Sequence, residues 1–166
     1  MKRYLLIVIC FFLFGQESFG QQREIVEKKI EETLAATLDG KGIADSIALY
    51  AFSIEVNIKE IKGKIVAEVT CNDTIAHTIF KDIRVLKNID YKPIMTGRHH
   101  VVINIPVAYI VANYKANDLS EKKISIANLQ ESLYRLFNHK KKGGLNYNRV
   151  VYTKPIIITV DKAVYD

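Results

Sequence analysis

The chain has 166 residues and a formal charge of +6. That length holds one ordinary domain once an N-terminal leader is set aside, and the mild positive balance permits anions or membrane surfaces as partners without requiring them. Two cysteines, Cys10 and Cys71, are too few for a disulfide-stapled framework, so stability has to come from a packed core.

The N-terminus has the three parts of a secretory signal. Lys2 and Arg3 are basic, residues 4–14 form an unbroken apolar run, and Ser18-Phe19-Gly20 places small residues where signal peptidase needs them. Cleavage before Gln21 is expected. A spanning anchor is the competing reading, but it needs roughly 20 apolar residues, and Gly15, Gln16, Glu17 and Ser18 end the run well before that. A lipoprotein signal would put a small residue before its cysteine, whereas Ile9 precedes Cys10. The organisation expected is a signal peptide at 1–20 and a single secreted domain at 21–166, periplasmic or released, with no transmembrane span after cleavage. Residues 1–20 hold two bases and one acid, so the remainder keeps a charge of +5. Cys71 is then its sole thiol.

Residues 22–38 read as an amphipathic helix. Val26, Ile30, Leu34 and Leu38 recur every fourth position, charged residues fill the rest of the circumference, and Gly40 stands just beyond the end. At residues 50–59 the period drops to two. Tyr50, Phe52, Ile54, Val56 and Ile58 fall on one face, and Ala51, Ser53, Glu55, Asn57 and Lys59 on the other, which describes a half-buried antiparallel strand. After a turn at 60–63, Ile65, Ala67, Val69 and Cys71 alternate again, predicting a hairpin.

Asn72-Asp73-Thr74 supplies capping side chains for a helix reaching about Asn88, with Ile75, Ile79, Ile83 and Leu86 as its apolar stripe. Tyr91-Lys92-Pro93 stops it. A third strand follows at 101–111, interrupted by Pro106, which suggests an edge or a bulge. Residues 113–120 read as loop and 126–138 as a further helix, before a basic connection and a last strand region at 149–160 with Pro155 inside it. Val101, Val102, Pro106 and Val111 match Val150, Val151, Pro155 and Val160 at identical offsets; four positions without a longer repeat are assigned to chance. Phe52, Ile54, Val69, Ile79, Ile83, Leu86 and Ile103 are expected to share one core. The fold class is α+β, an antiparallel sheet of three to five strands packed on one face by two or three helices.

Residues 50–111 thus give strand, tight turn, strand, helix, strand. With Gly63 opening the second strand, an aromatic-x-proline at Tyr91 to Pro93, then Gly97 and a valine/isoleucine strand, this stretch resembles the C-terminal domain of TonB-type energy transducers. Those transducers join an inner-membrane anchor and a long proline-rich spacer to the domain, whereas this chain has a short signal and three prolines. The resemblance implies a free periplasmic or secreted binding module that pairs strands with a partner, not a coupler of membrane energy. Fold likeness alone carries no function.

No catalytic or metal motif stands out, and no cofactor is implied. His99-His100 are adjacent on a strand and point to opposite faces, and no zinc-type spacing surrounds them. Cys71 with His77 or His100 as base would make a nucleophile, but its place beside Ile65, Ala67 and Val69 reads as a small buried hydrophobe. Gly40-Lys41-Gly42 does not continue as a dinucleotide fingerprint. Residues 132–160 contain no acid but hold Arg135, Lys140, Lys141, Lys142, Arg149 and Lys154 among four aromatic residues. Lys140, Lys141, Lys142 and Arg149 are the candidate anion-binding residues, facing an anionic envelope glycan or lipid; a secreted protein rarely meets nucleic acid. The competing reading of this zone is a solvated loop. Two function classes follow: a non-enzymatic binding or structural module of the bacterial envelope, contacting a protein or an anionic component, or an envelope enzyme using a His/Asp site. A cleft gathering His77, His99 or His100 with Asp73 would favour the second.

Overall fold

The computed structural model describes residues 2–44, 48–112 and 150–161, with side chains from Gly20 onward. The first element, α1 (Lys2–Thr37), is one continuous helix that runs from the apolar N-terminal segment through the predicted amphipathic stretch. The stripe falls where its period puts it: Val26, Ile30 and Leu34 are buried, and Leu38 packs partly against the same core. Among the described residues no helix is long and apolar enough to cross a membrane. Beyond the helix, Gly40 adopts φ 59°, and a Cβ there would collide with the Tyr109 hydroxyl. Left-handed backbone and close approach both require glycine.

The hairpin consists of β1 (Ala48–Ile61) and β2 (Lys64–Cys71), in register from Ile54↔Cys71 to Ile61↔Lys64. Its two-residue turn, Lys62-Gly63, has positive φ at both positions (51° and 75°), the twist that suits a tight antiparallel hairpin. Phe52, Ile54, Val56 and Ile58 are fully buried, as their alternation predicts.

The single helix expected after the hairpin is instead two short pieces, α2 (Ala76–Ile79) and a 3-10 turn (Ile83–Asn88). Long-range pairing overrides helical propensity between them. Phe80 is extended, forms a bridge with Leu38, and is fully buried in an edge-to-face contact with Phe52 at 6.4 Å. Lys81 N–H donates to the Thr37 carbonyl, and the Asp39 and Gly40 N–H groups donate to the Ile79 carbonyl, tying the break to the end of α1. Asp82 then restarts the chain by accepting from Arg84 N–H. The apolar stripe survives the break, with Ile79, Ile83 and Leu86 buried. Asn72 does not cap a helix; it prolongs the β-ladder by bonding both ways with the Ser53 backbone. The turn α3 (Lys92–Met95) begins at the expected stop, with Pro93 in its first turn, where proline is tolerated.

Strand β3 (His100–Ala112) pairs antiparallel with β1, and β4 (Val150–Tyr152) and β5 (Ile156–Asp161) both pair parallel with β3. The sheet order is β2-β1-β3, with β4 and β5 sharing the far side of β3. The fold is α+β as expected, but the sheet is mixed, because β4 and β5 run parallel to β3 where an antiparallel sheet was expected. The described helices and turns join one face of the sheet in a single core that includes all seven predicted residues, Val69 at its margin. The two middle strands are buried on the other face as well, at Ala51, Ser53, Val102, Asn104 and Pro106.

Pro106 sits on a central strand, not an edge. The Asn104 carbonyl accepts from Thr153 N–H, so two residues on, the missing N–H of Pro106 faces the same far side. There, three residues (Thr153, Lys154, Pro155) oppose two (Ile105, Pro106) between the Asn104↔Tyr152 and Val107↔Ile156 pairs. This is a β-bulge, and it explains why the core-facing set changes parity from Val151 to Ile156, Ile158 and Val160. Pro106 and Pro155 therefore share one break in the ladder, where no donor is needed.

Candidate binding cleft at the open edge

Strand β2 pairs with β1 on one side and with no other described strand on the other. Counting from the Lys62-Gly63 turn, Lys64, Val66, Glu68 and Thr70 turn their backbone groups toward β1. Ile65, Ala67 and Val69 turn theirs outward, and no other described backbone group bonds them. A cleft of about 430 Å³ runs beside this edge. Ile65 and Ala67 form one wall, and Ile89 and Tyr91 form the facing apolar surface. Tyr91 is held there rigidly: it is buried, and its hydroxyl donates to the Leu86 carbonyl at 2.8 Å. Burial pushes its phenol above the ordinary tyrosine range, so it stays neutral.

Charge at the cleft is predominantly positive. Lys64, Lys87 and Lys92 line it against a single carboxylate, Asp90, which accepts from Lys92 N–H at 3.0 Å. Lys64 alternates with Ile65 on β2, while Lys87 and Lys92 come from the segment 87–92 that also lines the cleft. Neither makes a salt bridge with another described residue. Sequence reasoning missed this site, because the stretch up to Asn88 reads as one helix and Lys92 as part of its stop. Folding brings 64–67 and 87–92 together; the signal available beforehand was the recurrence of lysine around the aromatic-x-proline.

The predicted chemistry is distributed otherwise. Lys140, Lys141, Lys142 and Arg149 lie outside the described residues; of the same zone, Lys154 and Tyr152 are exposed, and Arg23 donates to the Tyr152 carbonyl. His99 is exposed and meets Glu60 at 2.9 Å, while His100 meets Asn57 at 2.8 Å, so the adjacent imidazoles have separate partners. Among the described residues no three His, Cys, Asp or Glu side chains gather as a metal site. Cys71 and His77 do come together, with Sγ 3.6 Å from Nε2. Burial pushes the Cys71 thiol up, and the Asp73 carboxylate adds to the rise against an opposing backbone bond from Asp73. The half-buried thiol is thereby kept protonated, the reverse of what activates a nucleophile. Asp73 Oδ1 accepts from Ile75 N–H. The histidines do not converge: Cys71 is opposite Ile54 and His100 opposite Lys59, roughly 17 Å apart along β1 at a strand's rise per residue.

Comparison of the chain with family models, with curated proteins and with solved structures finds no match.

Proposed function

We propose that this protein is a non-enzymatic binding module of the bacterial cell envelope, exported by its N-terminal signal and engaging a partner protein by strand addition at β2. The observation that carries this reading is the outward-facing backbone of Ile65, Ala67 and Val69, which no other described backbone group bonds, beside a preformed cleft. An extended segment laid along such an edge gains main-chain hydrogen bonds, and pockets for its alternate side chains give selectivity. The TonB-type resemblance of residues 50–111 supports the same mode. The contact between Cys71 and His77 gives an enzymatic reading its foothold, and the raised thiol weighs against it.

Ala67→Pro tests the reading. The Ala67 N–H faces outward, so proline removes a donor from the open edge without breaking a bond to β1. Crosslinking in the envelope followed by mass spectrometry should recover the chain beginning at Gln21. A partner joined to the wild type should be lost from the variant while the thermal unfolding transition stays cooperative. A chain confined to the cytoplasm, or the same crosslinked partner in both proteins, would overturn the proposal.

A further inference from the structure

The cleft narrows the kind of segment that the edge would accept. A strand added to β2 places every second side chain on the face shared by Ile65 and Ala67, directly over the space between β2 and residues 87–92. That space is lined by the apolar Ile89 and Tyr91 and by the exposed Lys87 and Lys92. Asp90 is the one acid in the lining, and its carboxylate is engaged by the Lys92 backbone. A basic segment would set like charges side by side at the cleft, and a neutral one would leave both ammonium groups without a carboxylate partner. Resting on the strand-addition reading above, we infer that the partner of β2 is an acidic extended segment, whose carboxylates alternate along one face and meet Lys87 and Lys92. Lysine suits this task because its compact charge on a flexible stem can follow carboxylates of varied placement. Lys64 extends the positive field at the mouth of the cleft and raises the encounter rate.

The test uses the full chain and two fluorescent peptides of about eight residues, matching the eight of β2, one of alternating Thr and Glu and one of alternating Thr and Lys. Binding is read by anisotropy in wild type, in the double variant Lys87→Glu/Lys92→Glu, and in Ala67→Pro, with circular dichroism confirming that each is folded. The wild type should prefer the Glu peptide by at least about tenfold, with affinity falling as salt rises. The double variant should reverse that order, and Ala67→Pro should lose both peptides. Equal binding of the two peptides by wild type, both lost in Ala67→Pro, would overturn the acidic preference and leave strand addition standing. Glu-peptide binding that survives Ala67→Pro but not the double variant would overturn strand addition and leave a site of charge alone. No binding of either peptide would overturn both.

Discussion

Among the described residues, the two edges of the sheet are built in opposite ways. On the far side, β4 and β5 form an edge broken by a bulge at Thr153-Lys154-Pro155, carrying a proline, with the Tyr152 carbonyl taken by Arg23 from α1. On the near side, β2 is an unbroken eight-residue strand in continuous register with β1 and with no proline. Bulges, prolines and covering contacts are the usual means by which a sheet blocks unwanted pairing. One edge has all three, and the other has none of them among the described residues but has a lysine-lined cleft. The contrast teaches that the openness of β2 is local: this chain has the means to close an edge and applies them on one side. A long unprotected strand is a hazard for solubility unless a partner is meant to occupy it.

The largest effect should come from the centre that both edges lean on. Ile54 is fully buried, opposite Cys71 on β2 and Ile105 on β3. Ile54→Ala should lower unfolding stability by about 2–5 kcal/mol, while Glu55→Ala, on the opposite face, should cost under about 1 kcal/mol. Hydrogen exchange should speed at β2 and β5 together in the first variant. Loss of protection confined to one edge would mean that the two are not supported by a common core, and the comparison would fail at its base.

A smaller effect on stability, but a sharper one on the comparison, is expected from deleting Lys154. The deletion removes the extra residue opposite Ile105 and Pro106 and makes the far edge regular. It perturbs the bond from Thr153 N–H to the Asn104 carbonyl, a cost of about 1–2 kcal/mol. Self-association measured by sedimentation should rise above that of the wild type, because a straightened edge is a better template. Unchanged sedimentation would show that the bulge is not what guards that side.

Much of this architecture was legible in the sequence wherever a short-range period decided it. The stripe of Val26, Ile30 and Leu34, the alternation from Phe52 to Ile58, and the Gly63 turn each carry their own signal, because burial on one face fixes the pattern. What was not legible depended on distant partners. Phe80 breaks the expected helix because Leu38 and Phe52 offer it a better place. The parallel pairing of β3 with β4 and β5 leaves no mark on either strand alone. Pro106 reads in the sequence as an edge or a bulge; it lies on a central strand, and the bulge opposite it belongs to the neighbouring strand, around Pro155. For the site, the encounter of Cys71 and His77 was foreseeable from their proximity in sequence, whereas the cleft joins β2 to residues 87–92 across a fold that had to be seen first. The candidate patch at Lys140, Lys141, Lys142 and Arg149 remains an expectation from composition.

The smallest effect should come from the turn that feeds the open edge. Lys62 holds φ 51°, a left-handed conformation that a lysine side chain does not favour, and Gly63 follows at φ 75°. Asparagine tolerates left-handed backbone far better, and Asn-Gly is the preferred pair for a two-residue hairpin turn of this twist. Lys62→Asn should therefore stabilise the protein by about 0.5 kcal/mol, seen as a small rise in the midpoint of denaturant unfolding with an unchanged slope. Lys62 is exposed and does not line the cleft, so the gain should come with no loss of peptide binding at β2. If β2 is held in register by its pairing with β1, a better turn should also slow exchange of the amides that face β1, those of Lys64, Val66 and Glu68. The outward amides of Ile65 and Ala67 should be left fast until a partner strand arrives. Equal protection of both sets in the free protein would mean that the near edge is already covered, and the contrast between the two edges would be lost.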